Sequence, residues 1–146
     1  MGVPINQRFS AEEKQSIAQA IENAELNTSG EVRVHIEEKC KEDVLDHAAF
    51  IFEKLKMFET ESKNGILFYL SLDDHKFAVI GDVGIHQKVG DDFWESVKNE
   101  MIPLFKDNKL AEGLTVGIEK AGMELKKYFP YQSDDKNELD DEISFG

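Results

Sequence analysis

Glu31, Asp82, Asp91 and Asp92 are the side chains whose types and neighbours best suit chemistry: hard oxygen ligands for Ca²⁺ or Mg²⁺ among glycines that let backbone approach a ligand. They sit on or beside three short segments, Thr28-Ser29-Gly30-Glu31, Asn64-Gly65 and Gly81-Asp82-Val83-Gly84. Asp91 and Asp92 follow at the start of a helix. No calcium loop of the twelve-residue type is present. The competing reading of the same residues is structural: Gly81 and Gly84 serve a turn, and Asp91 and Asp92 cap a helix.

Other chemistries find less support. His35, His47, His75 and His86 show no i, i+4 pairing and no His-x-His spacing, so zinc is not indicated. Cys40 is the only cysteine, which excludes an internal disulfide and a thiolate-rich metal site; it reads as a buried or bystander thiol. Asp73-Asp74 resembles a catalytic dyad, but with His75 and Lys76 it has the composition of a hairpin turn. Walker loop, Gly-x-Gly-x-x-Gly after a strand and Gly-x-Ser-x-Gly elbow are all missing, which removes nucleotide binding by those devices and serine hydrolysis.

The elements that must position these residues are legible from periodicity. Ser10 and Glu13 form a capping box, and Ile17, Ile21 and Ala24 recur at helical spacing, so a first helix runs from about Ala11 to Leu26. Glu31 to Glu37 alternates strictly, with Val32, Val34 and Ile36 on one face; this predicts a strand covered on one side only, at an edge or under an uncovered face. A second helix starts near Asp43 and ends before Asn64. Ile66 to Leu72 and Phe77 to Ile80 read as buried strands joined by the turn. Asp92 and Glu95 make a second capping box, and Pro103 predicts a kink or stop late in that helix. A last helix runs from about Leu110 to Phe129, where Gly113, Gly117 and Gly122 permit close packing. A right-handed crossover makes the first two strands parallel, and the hairpin adds the third antiparallel. The expected fold is an α/β/α three-layer sandwich around a small mixed sheet, and its topology converges the three glycine-bearing segments at one sheet edge.

Composition narrows partners and place. The chain has 146 residues, enough for one domain, and a formal net charge of −13. Residues 131–146 hold six acids against one Lys, so they carry −5 of that total and read as an acidic, disordered or partner-docked tail after a domain spanning 1–130; Leu139, Ile143 and Phe145 are its anchors for docking. Such a field repels nucleic acid and anionic membranes and favours cations or basic protein patches. The start, MGVPINQRFSAEEK, lacks the pattern of a signal peptide, and no apolar run approaches the ~18 residues that would span a membrane, so a cytoplasmic protein with no transmembrane segment is expected.

At SGEVRVHI, NGILFYLSLDDHKFAVIGDVGI and IPLFKDNKLAEGLTVGIEKAG the chain resembles the TPM domain, named for the TLP18.3, Psb32 and MOLO-1 proteins, over about Phe9 to Phe129. The resemblance implies an α/β/α sandwich, divalent cation binding, acid phosphatase activity in plant relatives, and membrane-linked accessory roles with protein partners. Two departures are visible. The glycine-tyrosine-glycine that often closes the third strand is Gly81-Asp82-Val83-Gly84 here, and the glycine common after the third helix is absent from Lys106-Asp107-Asn108-Lys109. Asp82, Asp91 and Asp92 remain the positions expected to hold a cation. Two functions follow as expectations: a cytoplasmic interaction or regulatory module steadied by Ca²⁺ or Mg²⁺, and a weak metal-dependent acid phosphatase whose cation polarises a phosphate oxygen.

Overall fold

A computed structural model describes residues 4–131 and 143–146. After a single 3₁₀ turn at Ile5–Gln7, the elements are α1 (Ala11–Glu25), β1 (Glu31–Glu37), α2 (Val44–Lys54), β2 (Gly65–Ser71), β3 (Lys76–Gly81), α3 (Val83–Val89), α4 (Asp91–Lys106), α5 (Leu110–Tyr128) and β4 (Ser144–Phe145). The strands form one open mixed sheet in the order β3-β2-β1-β4. β1 runs parallel to both β2 and β4, and β2 pairs antiparallel with β3.

The strand pleat divides two cores between the two faces, giving the expected α/β/α layers. Val32, Val34, Ile36, Ile66, Phe68, Leu70 and Val79 point to one face, where they pack with side chains of α1, α3, α4 and α5. Leu67, Tyr69 and Ala78 point to the other, against Ala48 and Ile51 of α2, with Met57 and Cys40. Fully buried Ile17, Ile66 and Ile118 each contribute on the order of 2 kcal/mol by leaving water. α5 comes close to its neighbours through its glycines: a Cβ on Gly113 would strike Phe105, on Gly117 Met101 and Phe68, and on Gly122 Ala24.

α1 begins at the predicted Ser10–Glu13 capping box. Four local expectations change. α2 ends at Lys54, and the chain reaches β2 through turns in which Lys56 and Lys63 hold left-handed backbone at φ 57° and 51°. Residues 83–89, to which the sequence assigns no element beyond a turn at Gly81 and Gly84, form α3. Asp92 does not cap α4, because Gly90 at φ 75° is the N-cap and Asp91 and Asp92 lie in the first helical turn, where carboxylates oppose the positive end of the helix dipole. Pro103 does not stop α4 on the spot: the helix runs on to Lys106, and the missing proline N–H leaves the carbonyl four residues earlier without its usual intrahelical donor.

β1 also differs from the one-sided edge strand of the sequence. Its Glu31 and His35 are buried at 2% and 6% exposure, and β4 covers it at His35 and Ile36. The segment expected as an acidic tail is thus seated on the chain's own sheet at its far end, while residues 132–142, Leu139 among them, lie outside the described residues.

Candidate functional site

The three glycine-bearing segments do converge. Glu31 opposes Gly65 in the β1–β2 register, and Asp82 donates its backbone N–H to the Gly65 carbonyl at 2.9 Å. The backbones of Glu31 and Asp82 therefore adjoin Gly65 on its two sides in the sheet. The Glu31 N–H bonds to the Asn64 carbonyl at 3.4 Å, and Asn64 Nδ2 donates to Ser29 Oγ at 3.2 Å. Behind them Thr28 Oγ1 donates toward the Leu125 and Phe129 carbonyls and accepts from Gly30 N–H, pinning the entry to β1 against the end of α5.

Two oxygens at this edge lack a donor. Asn64 Oδ1 and Asp82 Oδ2 are buried without a hydrogen-bond partner, and Asn64 as a whole is 1% exposed. Buried polar atoms in folded proteins nearly always find a partner, and leaving one without costs about 1–3 kcal/mol. Asp82 Oδ1 is already engaged, accepting from Val83 N–H at 2.7 Å as the N-cap of α3. The third orphan is Arg33 Nε, two residues along β1 from Glu31 and on the same side of the strand.

Asp91 and Asp92 are elsewhere in role. Asp91 is 92% exposed at its side chain and faces His86 Nε2 at 3.4 Å, while His86 Nδ1 accepts from Trp94 Nε1 at 2.9 Å, which ties α3 to α4. Asp92 is exposed in the first turn of α4. Among the described residues, no three His, Cys, Asp or Glu side chains are grouped so as to hold a metal ion. The inner oxygen set is Glu31, Asn64 and Asp82, two carboxylates and an amide; Asn64 is a donor that a search for acidic residues passes over.

Asp73 and Asp74 belong to the reversal between β2 and β3. Asp73 pairs with Arg8 at 2.7 Å, and Asp74 accepts from Cys40 N–H at 2.8 Å. Both carboxylates are thereby used in holding the hairpin to the N-terminal segment and the β1–α2 connection.

At the opposite end of β1 lies a cluster that sequence spacing did not expose. Glu37 Oε1 accepts from Tyr69 OH and from His47 Nε2, each at 2.6 Å, and Oε2 faces His35 Nε2 at 3.3 Å. His47 Nδ1 lies 2.6 Å from Glu42 Oε1. Burial pushes the Glu37 carboxyl up, but the three donors outweigh it and hold the group below its ordinary value. His47 also loses hydration, yet its two carboxylate partners raise it above the usual imidazole value. Burial lowers His35, and Glu37 only partly offsets this; burial and Glu37 together push Tyr69 up, so its hydroxyl remains a donor. Glu37 and His47 lie ten residues apart and Tyr69 is on the next strand, so no local spacing rule reports the group. The one sequence signal is the alternation that puts His35 and Glu37 on the α2 side of β1.

The TPM domain family profile matches residues 6–124. The NMR structure of the BA42 protein from the psychrophilic bacterium Bizionia argentinensis is similar at 47% identity, with a TM-score of 0.88 over 94% of this chain and 95% of that one. The N-terminal domain of cg2496 from Corynebacterium glutamicum and that of a P. gingivalis protein share the fold at TM-scores of 0.66, with 12% and 19% identity. They cover 82% and 83% of this chain, and 75% and 78% of their own. No curated protein matches. Among the described residues no helix is long and apolar enough to cross a membrane. With a profile match over most of its length and a near-complete structural relative at 47% identity, the chain belongs to the TPM domain family.

Proposed function

We propose that this TPM domain is a cytoplasmic, non-enzymatic interaction module whose Glu31–Asn64–Asp82 edge binds a divalent cation, Ca²⁺ or Mg²⁺. The observation that carries the reading is the pair of buried oxygens without donors, Asn64 Oδ1 and Asp82 Oδ2, on residues whose backbones adjoin Gly65, which opposes the buried Glu31 in the sheet. A hard cation satisfies such oxygens where a hydrogen-bond donor is missing, and carbonyls and waters complete its shell. Asp91 and Asp92 then act from outside the inner set, as negative charge close in sequence. The acidic body favours cations and basic protein partners over nucleic acid.

Arg33 supports a second reading, metal-dependent phosphate ester hydrolysis. Its buried Nε lacks a partner, and it follows Glu31 on the same face, where a guanidinium can hold a phosphate whose oxygen a cation polarises. The experiment is a Ca²⁺ and Mg²⁺ titration followed by backbone amide NMR shifts, paired with phosphate ester hydrolysis with and without metal. Saturable shifts at Glu31, Asn64, Gly65 and Asp82 without hydrolysis support the module. Metal-dependent hydrolysis that disappears in Arg33→Gln and Asp82→Ala supports the phosphatase. Amides that stay still at millimolar metal refute the cation in both.

A further inference from the structure

We infer that the outer edge of β1 is an acceptor site for an extended segment of a partner protein with hydroxyl–aromatic–glycine chemistry, and that residues 143–146 are its resident competitor. The resident segment shows what the edge reads. Ser144 and Phe145 run parallel to β1 opposite His35 and Ile36, and Gly146 N–H donates to the Ile36 carbonyl at 3.0 Å. Ser144 Oγ lies 2.6 Å from His35 Nδ1 and 3.3 Å from the Val34 carbonyl. With Nε2–H donating to Glu37, Nδ1 is left as an acceptor, and the serine hydroxyl donates to it.

The next two positions are read by shape. Phe145 and Ile143 pack, half-buried, against the core on the α1–α5 side. A Cβ on Gly146 would stand 2.9 Å from both Glu37 Oε2 and His35 Nε2. Neither can yield easily, because Glu37 is held by Tyr69 and His47 and His35 is buried in the sheet. The edge thus selects a small hydroxyl, an aromatic and a glycine in consecutive positions, with main-chain pairing for affinity, as in strand addition.

The occupant is displaceable. β4 covers only two of the seven residues of β1, and it is held by a few hydrogen bonds and two half-buried side chains against the entropy of ordering the segment. Farther along, Val32 N–H on the outer edge is met by the Glu25 carboxylate at 2.7 Å, which blocks a longer strand and confines the site to the His35–Glu37 end. Tyr131 N–H is bonded to the Asn27 carbonyl at 3.1 Å. Being part of the same chain, the resident competes intramolecularly, and a partner segment must exceed it in affinity or local concentration.

The test uses the full chain with Gly146→Ala, which disturbs the seating of the resident segment, and a second variant joining Ser144→Ala to Phe145→Ala. The probe is a blocked Glu-Ile-Ser-Phe-Gly peptide, followed by amide shifts. Expected are saturable shifts at Val34 to Glu37 in both variants, at least about tenfold weaker apparent binding to the unaltered chain, and loss of binding when the peptide glycine is replaced by alanine. Four results would overturn the inference: no saturable shift in either variant up to about 5 mM peptide, equal binding of the alanine peptide, shifts away from β1, or concentration-dependent dimerisation of the unaltered chain through these amides. The last would make the edge a self-association surface.

Discussion

Replacing Glu37 by alanine should cost this domain about 3–4 kcal/mol, and the structure says where that comes from. The carboxylate is 15% exposed at its side chain and takes hydrogen bonds from Tyr69, His47 and His35. A hydrogen bond to a charged group contributes roughly 1.5–3 kcal/mol net, and the three share one acceptor, so they do not add. Removing Glu37 also strands the hydroxyl of Tyr69, a residue 1% exposed, at about 1–3 kcal/mol. For a chain of 146 residues each kcal/mol moves Tm by about 3 °C, so a fall of roughly 10 °C is expected. Denaturant unfolding of Glu37→Ala, Tyr69→Phe and the double variant measures it. Because Phe removes the stranded hydroxyl, the double variant should be more stable than the sum of the single losses by about 1–2 kcal/mol. A Glu37→Ala cost below about 1 kcal/mol, or strict additivity, would refute the network.

Metal at a hundred times its Kd should stabilise the domain by about 2.7 kcal/mol, or roughly 8 °C in Tm, and this gain should vanish in Asp82→Ala and Asn64→Ala; thermal scans with and without Ca²⁺ and Mg²⁺ check it. Gly84→Ala places a Cβ on the carbonyl oxygens of Ser62 and Lys63, which are main-chain atoms with little room to move, so a loss of about 1–3 kcal/mol is expected by denaturant unfolding, together with weaker metal response as Asp82 is displaced. His47 and His35 should give opposite pH signatures. The raised His47 contributes stability that is full below its unfolded value of about 6.5 and is lost as pH rises through its folded value. The lowered His35 contributes stability present above about pH 6.5 and lost as pH falls through its folded value. Stability measured from pH 5 to 9 should therefore lose its alkaline decline in His47→Gln and part of its acid decline in His35→Gln; profiles parallel to the unaltered chain would refute the assignment.

Sequence periodicity reports an element when one face of that element is buried over several turns. That is why α1, β1, the hairpin and α5 were legible, with β1 at Glu31–Glu37 as predicted. It fails where the determinant is a contact with distant main chain. Gly84 reads as a turn residue, yet it sits in the first turn of α3 because the carbonyls of Ser62 and Lys63 leave no room for a side chain. Likewise Gly90 outcompetes the Asp92–Glu95 pattern as the cap of α4 by taking φ 75°. β4 has two residues, too few for any period to show. At the candidate edge, the convergence of Glu31, Gly65 and Asp82 followed from strand directions alone. The part played by Asn64 did not, because an amide oxygen becomes conspicuous only when its burial without a donor is visible.

Both proposed surfaces trace to the α2-facing side of β1, which carries Glu31, Arg33, His35 and Glu37 where a buried strand ordinarily carries aliphatic residues. α2 packs mainly over β3 and β2, through Ala48 and Ile51 against Leu67, Tyr69 and Ala78. That leaves the polar residues of β1 to satisfy one another or to recruit ligands. At the Glu37 end they succeed internally, with Tyr69, His47 and Ser144 as partners, and the resulting rigid acceptor reads a passing segment. At the Glu31 end, oxygens of Asn64 and Asp82 on the neighbouring segments remain without donors. Six residue steps, roughly 20 Å of strand, separate the two ends. Cation and peptide should then bind independently, so shifts that spread from either ligand to the far end would mean that β1 moves as a unit.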